Sequence, residues 1–321
     1  MNGLKQILSK VSLKLRRVQG LRKLCRLFGI NISLYPSGHY YSPIVDVTQI
    51  VSDTQVFTKK KAFPGIDLRI DDQLSLIDSL SDNYRNIDFP NKKTDTHLYY
   101  YNNPYFSYSD AIILHLILVK FRPKNIVEIG SGYSTACMLD TIAQYNLDCH
   151  VTTVDQDTTR LSELLITSTS SHNISVIKSP LQEVDIAVFK ALEKDDILFV
   201  DSSHISKTGS ELHKIIFDVL PALKRGVIIH FHDIFQNFEY PKEWIDEGIS
   251  FNESYLLRAF LQYNSEFKIL LYLGQLQQDY PDVISDKLPI SMQPHERYTY
   301  GPHKGQYIES ILGQSLYIIK Q

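Results

Sequence analysis

Short apolar segments alternate with amphipathic segments through the middle of the chain. Five apolar runs have the length of strands: residues 125–129, 150–154, 174–177, 197–200 and 227–231. Four further segments have apolar positions at helical spacing: residues 109–120, 134–145, 158–167 and 210–220. Strands and helices that alternate in this way form a parallel sheet with helices on both faces. The pattern therefore predicts a doubly wound α/β domain.

The alternation stops after the fifth run. Residues 267–273 and 315–319 are strand-like, and no helix-length amphipathic segment clearly separates them. Glycines and prolines near residues 301–305 indicate a loop there. Two strands joined by a loop can pair antiparallel at the end of a sheet. We therefore expect a Rossmann-like sheet of seven strands in which the last strand is antiparallel.

The first 45 residues have a charge pattern of their own. They contain eight basic residues and no acidic residue. Apolar residues recur there at helical spacing: Leu4, Leu8, Val11, Leu15 and Val18. This predicts a basic amphipathic helix that is broken near Gly20 and ends near Gly29. Such a helix packs either on its own domain or, through residues 1–28, on an anionic membrane surface, and the sequence leaves both interpretations open.

Composition sets the broader class of protein. The 321 residues are 43% hydrophobic and 21% charged, as in ordinary globular proteins. The net charge of −3 gives no general attraction to nucleic acid, and three cysteines without metal-type spacing indicate a reducing, cytoplasmic compartment. No membrane-spanning run and no secretory signal are expected. We divide the chain into a basic extension (residues 1–45), a cap or linker region (46–98) and the α/β domain (99–321).

A glycine turn follows the first predicted strand. Gly130 and Gly132 flank Ser131 where this strand leads into the next helix, and Glu128 precedes them. Glycines let the backbone approach a ligand closely, and the helix N-terminus presents free N–H groups to it. A dinucleotide-binding fingerprint would have a third glycine where this chain has Thr135. A nucleotide-dependent oxidoreductase is therefore disfavoured but stays an alternative.

Acidic residues stand at the ends of other predicted strands. Asp155 ends the second strand, Asp201 the fourth, and His232-Asp233 the fifth. The carboxyl ends of parallel strands line the ligand crevice of such sheets, and an acid at the second strand reaches ribose hydroxyls. The sequence therefore predicts a ligand site at this edge of the sheet.

Two of these segments resemble a known enzyme family. Residues 127–135, VEIGSGYST, resemble motif I of class I S-adenosylmethionine-dependent methyltransferases, and residues 153–157, TVDQD, look like motif II. Residues 99–110 and 313–317 are similar to segments of a bacterial branch that contains small-molecule and sugar O-methyltransferases. The resemblance covers roughly residues 60–321.

The resemblance implies roles for individual residues. Glu128, Gly130 and Gly132 would hold the methionine end of S-adenosylmethionine, and Ser131 between the glycines is also expected to bind the cofactor. Asp155 would accept hydrogen bonds from the ribose hydroxyls. Gln182 falls where the family contacts adenine.

O-methylation also needs a group that removes the proton of the acceptor hydroxyl. His204, three residues after Asp201, is our candidate base because imidazole is neutral in part at physiological pH. Asp201, His232 and Asp233 form a second candidate, a divalent metal site that would lower the pKa of the hydroxyl. Metal-dependent sugar O-methyltransferases of the resembling branch have Glu-Asp in place of His232-Asp233. A histidine ligand favours softer metals than magnesium.

The expected function is O-methylation of a sugar, glycan or other small-molecule hydroxyl in the cytoplasm, with membrane contact only through the basic extension. A non-catalytic S-adenosylmethionine-binding or scaffold protein of glycan biosynthesis is the alternative. His230 alternates with His232 along its strand, so we expect it to point away from the site and to be structural. The sequence does not decide the acceptor, the metal or the oligomeric state.

Overall fold

The computed structural model describes residues 18–29, 32–52, 55–58, 62–106, 108–166, 173–293, 295–298, 307–310 and 312–321, together with positions 11, 14 and 15. The chain divides into two compact units. The smaller unit comprises Met1–Lys59 and Lys242–Ser250, and the larger comprises Lys60–Pro241 and Phe251–Gln321. The functional boundaries after residues 45 and 98 stay predictions. No helix in the described ranges is long and apolar enough to cross a membrane.

The helices are named in chain order. They are α1 Gln19–Leu27, α2 Val47–Ser52, α3 Gln55–Thr58, α4 Ile70–Ser81, α5 Tyr108–Phe121, α6 Tyr133–Gln144, α7 Thr159–Leu165, α8 Ala187–Lys190, α9 Glu211–Lys214, α10 Leu220–Ala222, α11 Lys242–Asp246, α12 Glu253–Leu261, α13 Leu273–Asp279 and α14 Pro281–Lys287. A π-helical turn, Ile215–Val219, joins α9 to α10, so the helix predicted over 210–220 is present but widened in its middle.

The smaller unit contains α1, α2, α3 and α11. Val18 is extended and precedes the first helical residue, Gln19, while Phe28 and Gly29 end the helix with Gly29 at a φ of +73°. The break near Gly20 and the end near Gly29 are therefore confirmed. Most of the predicted helix before Val18 lies outside the described residues.

The larger unit is built on a seven-stranded sheet with the strand order β3-β2-β1-β4-β5-β9-β6. Its strands are β1 Asn125–Ile129, β2 His150–Val154, β3 Ile174–Ile177, β4 Ile197–Val200, β5 Ile228–Phe231, β6 Phe267–Tyr272 and β9 Leu316–Lys320. Strands β1 to β5 pair in parallel, and β9 runs antiparallel between β5 and β6. The predicted seven-stranded sheet with an antiparallel last strand is confirmed.

Side chains of the central strands alternate between two apolar cores. In β4, Phe199 joins one core with Ile112 of α5, whereas Leu198 and Val200 join the other core with Leu212 of α9. All four residues of β4 are buried. A strand covered by helices on both faces has no polar face, which explains its continuous apolar sequence.

The segment between β6 and β9 corrects the sequence analysis. The expectation that no helix separates these strands is wrong, because α13 and α14 lie between them. Five residues of α13, Leu273 to Gln277, are buried, so this helix has no amphipathic pattern to detect. A two-stranded hairpin of β7 His295–Tyr298 and β8 Tyr307–Ser310 was also not predicted. The loop expected at 301–305 lies outside the described residues.

A buried carboxylate fastens β9 to α5. One oxygen of Asp110 accepts hydrogen bonds from the backbone N–H of Gln314 at 2.8 Å and from the Ser315 hydroxyl at 2.6 Å. Ser315 Oγ also lies 2.9 Å from Nε2 of His230, which is itself fully buried. The last strand is therefore positioned by polar contacts as well as by pairing.

We expect Asp110→Ala to lower the free energy of unfolding by about 1–3 kcal/mol, because it leaves the Gln314 N–H without this acceptor inside the protein. Urea denaturation measures the change. The exposed Asp148 offers a matched control, and Asp148→Ala should stay within about 0.5 kcal/mol of the original protein. Equal unfolding midpoints for the two variants would contradict the role of Asp110.

Candidate active site

The strand register brings the predicted site residues to one edge of the sheet. Ile129 of β1 pairs with Val154 of β2 and with Val200 of β4, and Val200 pairs with Phe231 of β5. The residues that follow these strands are Gly130, Asp155, Asp201 and His232. The site predicted at the carboxyl ends of the strands is therefore assembled by sheet pairing.

The glycine turn is close to the next strand. Gly130 has a φ of +100°, and a Cβ atom there would lie 2.4 Å from the carbonyl oxygen of Asp201. Only glycine satisfies both constraints, because other residues disfavour this φ and carry a Cβ. The contact with Asp201 thus requires glycine at position 130 whether or not a ligand is bound.

Glu128 holds the start of α6 in place. Its carboxylate accepts hydrogen bonds from the hydroxyls of Ser134 and Thr135, each at 2.5 Å, and Thr135 Oγ1 in turn accepts one from the N–H of Gly132. Burial raises the pKa of Glu128 to about 8, although the two hydroxyls lower it. Glu128 is fully buried and does not line the cavity described next. Its predicted contact with a cofactor stays a prediction.

A cavity of about 340 Å³ opens beside the glycine turn. Its lining is mostly polar and comes from the segments that follow four strands, β1 to β4, and from α7 and α9: Gly130, Ser131, Val154, Asp155, Gln156, Arg160, Ser179, Leu181, Asp201, Ser202, Ser203 and Glu211. Asp155 accepts hydrogen bonds from the Ser131 hydroxyl at 2.7 Å and from the backbone N–H of Asp157 at 2.9 Å. Both of its oxygens are thus held in place at the cavity wall.

Two cavity features depart from the sequence analysis. Gln182 is not part of the lining, and its side-chain amide donates to the carbonyl of Gly209 at 2.8 Å. Arg160, which was not predicted, lines the cavity with its guanidinium 3.8 Å above the ring centroid of Tyr105. A cation stacked on an aromatic face has a fixed position. Sequence spacing gave no sign of this contact, because it joins α7 to the segment before α5.

Beside the cavity lies an acid–histidine cluster, which we define as Asp201, His204, Asp233 and Glu253. His204 Nε2 is 3.3 Å from Asp201 Oδ1 and 3.4 Å from Asp233 Oδ2. On the other side of the ring, Nδ1 is 2.7 Å from Glu253 Oε2. His204 is 6% exposed and Glu253 is 1% exposed, so these two members are shielded from water, whereas the Asp201 side chain is 37% exposed and faces the cavity.

Two residues of the cluster have unusual backbone conformations. His204 has a φ of +56° and Asp233 a φ of +58°. Such values are uncommon outside glycine and cost free energy, so they persist only where the surroundings enforce them. The carbonyl of His204 accepts hydrogen bonds from the backbone N–H groups of Asn252 and Glu253 at the start of α12. Helix α12 therefore fixes both the backbone and the ring of His204.

The carboxylates around His204 favour a positive charge on its ring. Burial by itself would lower the pKa of His204, but its contacts with Asp201 and Glu253 raise this pKa well above the ordinary value. Burial raises the pKa of Glu253, and the neighbouring acids add to that effect. An opposite charge favours an ionised imidazole, so these carboxylates favour the protonated form of His204.

The cluster also offers metal ligands. One atom each from Asp201, His204 and Asp233 lies within 4.8 Å of the others, a spacing suited to a single ion. His232 is buried beside them, with Nε2 3.8 Å from Asp233 Oδ1, and its ring packs 5.2 Å from that of Phe106. His232 is not part of this group, so its role as a ligand stays a prediction.

Glu253 is the member of the cluster that sequence reasoning missed. It stands 20 residues after Asp233, beyond residues 242–250 of the smaller unit, and no motif surrounds it. His230, which the sequence analysis expected to be structural, lies away from the site. Its ring lies 3.9 Å from that of Phe199, and Nε2 contacts Ser315, away from the cavity.

Parts of this chain are similar to known proteins. Residues 127–234 match the family model described as a methyltransferase domain. An uncharacterized protein of Archaeoglobus fulgidus is 29% identical in an alignment of 189 positions that covers 54% of this chain and 82% of that protein. The O-methyltransferase TomG from Streptomyces achromogenes is 12% identical, with 85% of this chain and 96% of TomG covered and a TM-score of 0.39. An O-methyltransferase from Bacillus cereus is 12% identical, with 85% and 97% covered and a TM-score of 0.36.

The family match covers about a third of the chain, and the two structural likenesses are too weak to add to it. The matched residues include the glycine turn, every residue that lines the cavity, and three of the four members of the acid–histidine cluster. The segment of this chain that builds most of the site, residues 127–234, thus matches the model of a methyltransferase domain.

Proposed function

We propose that this protein is an S-adenosylmethionine-dependent O-methyltransferase that acts on a hydroxyl of a sugar, a glycan or another small molecule. The observation that carries the proposal is the position of Asp201, which lines the cavity of the methyltransferase domain and also contacts His204. A cofactor cavity and a proton-accepting group thus share one wall. The described cysteines Cys25, Cys137 and Cys149 are free, in keeping with the cytoplasmic location we propose.

The cavity suits the cofactor in size and in polarity. Asp155, oriented by Ser131, presents a carboxylate that can accept from two ribose hydroxyls. Because Gly130 has no side chain, the backbone of the turn itself forms this part of the cavity wall. Ser179 and Leu181, in place of Gln182, are the residues of their loop that reach the cavity. When bound, S-adenosylmethionine supplies an electrophilic methyl group on a positively charged sulfonium.

In its neutral form, His204 is the group that takes the proton of the acceptor hydroxyl. Glu253 accepts the Nδ1–H of its ring, which leaves Nε2 facing Asp201 and Asp233 as the basic atom. A base is useful only when its ring is oriented and its tautomer is fixed. Glu253 does both, so we assign it as the positioning residue for His204.

Three carboxylates around one imidazole favour a cation in the cluster. Asp201, Asp233 and Glu253 repel one another unless positive charge lies among them. A divalent ion held by Asp201 and Asp233 would lower the pKa of a bound hydroxyl and would favour the neutral form of His204. We therefore propose Asp201 and Asp233 as the carboxylate ligands, with His232 as the imidazole ligand when His204 is the base. If Nε2 of His204 binds the ion instead, His204 cannot also take the proton. An ion with affinity for imidazole, such as Mn²⁺, fits this donor set.

Cofactor binding tests the first part of the proposal. Calorimetry with S-adenosylmethionine should detect binding with a Kd in the micromolar range, about −8 kcal/mol. Gly130→Ala should weaken binding at least about tenfold, because its Cβ forces the turn away from Asp201. Gly248 has a φ of +85° and open space around it, so Gly248→Ala carries similar backbone strain without a clash. Binding of NAD in place of S-adenosylmethionine would overturn the proposal.

The base and its positioning residue are tested by turnover. We expect His204→Ala to reduce kcat by about 10²–10⁴-fold with little change in cofactor affinity. Glu253→Gln should reduce kcat by about 10–100-fold, since it removes the charge that orients the ring. Glu163→Gln, at an exposed position, is the matched control. The acceptor for this assay can be identified as the metabolite that lacks one CH₂ unit in a deletion strain. Full activity of both site variants would contradict the roles of His204 and Glu253. An original protein that binds the cofactor but transfers no methyl group would favour the non-catalytic scaffold.

The metal site is tested by binding alone. Calorimetry with MnCl₂ should show one ion per chain, and Asp201→Asn and Asp233→Asn should each weaken it at least about tenfold, roughly 1.4 kcal/mol. His232→Gln and His204→Gln then identify the imidazole ligand by which of them weakens Mn²⁺ binding. Asp148→Asn, on the surface, is the control. An original protein that binds neither Mn²⁺ nor Mg²⁺ would refute the metal site and leave the cofactor proposal intact.

A further inference from the structure

The smaller compact unit has a surface that the proposed methyl transfer does not use. We propose that helix α1 and the residues around it dock on an anionic lipid bilayer. The proposal is independent of the proposed function, because it concerns residues outside the methyltransferase domain. It rests on the exposure of α1, on the distribution of charge along the chain and on a cluster of exposed tyrosines.

Helix α1 is amphipathic, and none of its residues is buried. At 3.6 residues per turn, Leu21, Leu24 and Phe28 share one stripe, and Arg22, Lys23 and Arg26 occupy the opposite side. Phe28, directly after the helix, is 75% exposed, and Leu27 is 81% exposed. A helix in a folded protein normally buries its apolar stripe against its own core. Here Leu21 is half-buried, but Leu24 is 52% exposed and lies beside Phe28, so most of the stripe is open to a partner.

The distribution of charge between the two units indicates what kind of surface α1 binds. The smaller unit contains ten basic and five acidic residues, and the larger unit contains the other 23 basic and 31 acidic residues. The first 45 residues hold eight of the basic residues and no acid. The chain as a whole is nearly neutral, but its smaller unit has a net positive charge and its larger unit a net negative charge. Only the smaller unit is therefore attracted to a negative surface. Negatively charged headgroups of a bilayer attract a basic segment of this kind.

Exposed aromatic residues add to the apolar surface of the same unit. Tyr40 is 80% exposed and Tyr41 is 62% exposed, with ring centroids 4.1 Å apart. His39 stacks on Tyr40 at 4.5 Å and on Tyr35 at the same distance. Tyrosine rings prefer the headgroup level of a membrane, where one end of the ring is apolar and the other is in water.

Other partners fit these features less well. A second copy of the chain would bring the same basic residues together across a symmetric contact, and like charges repel. Nucleic acid would engage the basic side of α1 and leave Leu24 and Phe28 in water. A bilayer accepts both sides at once, because acyl chains receive the apolar stripe while headgroups surround the cations.

The test is sedimentation of the full-length protein with lipid vesicles. Vesicles of phosphatidylcholine with roughly one-third phosphatidylglycerol should bind at least about tenfold more protein than pure phosphatidylcholine vesicles at about 0.01 M salt. Binding should fall at about 0.15 M salt, where the Debye length shortens from about 30 to about 8 Å. Equal binding to the two kinds of vesicle, or none, would overturn the proposal.

Two variants separate the contributions of charge and apolar contact. Arg22→Gln/Lys23→Gln/Arg26→Gln should reduce binding at least about tenfold at low salt, and Leu24→Ser/Phe28→Ser should reduce it about tenfold at both salt concentrations. The matched control is Lys92→Gln/Lys93→Gln/Arg225→Gln, which removes three exposed cations from the larger unit and should bind like the original protein. Equal losses in the control, or a dimer that dissociates in Leu24→Ser/Phe28→Ser without any vesicle binding, would refute lipid docking. Circular dichroism confirms that each variant is folded.

Discussion

The register between β1 and its two neighbours is the constraint on which the rest of the site depends. Ile129 pairs with Val154 on one side and with Val200 on the other, so three strands end in the same row. A slip of one residue would turn every side chain of a strand to the opposite face. It would also remove the close approach of Gly130 to the carbonyl of Asp201, which permits no side chain between the two turns. The cavity is thus defined by backbone pairing before any ligand contributes.

Polar groups without access to water stabilise the segments that the sheet itself cannot hold. Glu128 ties the glycine turn to α6, and Asp110 ties β9 to α5. In the acid–histidine cluster the same principle holds, because the start of α12 contacts both the carbonyl and the ring of His204. Each link joins a loop to a rigid element. An unpaired buried polar group is unfavourable, so each link also favours a single arrangement.

The central strands could be predicted from the sequence because burial on both faces gives a continuous apolar run, as in β4. Strands β1, β2, β3 and β4 have the predicted bounds, and the acids at their ends follow from those bounds. Helix α13 escaped detection for the same physical reason, since its burial removes the polar face that marks a helix. Glu253 could not be found because its partner is 49 residues away in the sequence, and only tertiary packing brings the two together. Gln182 had a plausible position in the sequence but turns to Gly209.

The position of β9 in the sheet has a consequence for the order in which the chain can fold during synthesis. Strand β9 lies between β5 and β6, so neither of those strands can pair on that side until residues 316–320 have been made. During that interval β5 presents an open edge with unpaired N–H and C=O groups, which is a site for pairing with another nascent chain. The β1–β4 half of the sheet, which carries the cavity, can pair earlier because its strands are neighbours in both sequence and space or are linked by single crossovers. The ligand-binding half of the molecule is therefore able to form while the remainder of the sheet still depends on its most distant strand.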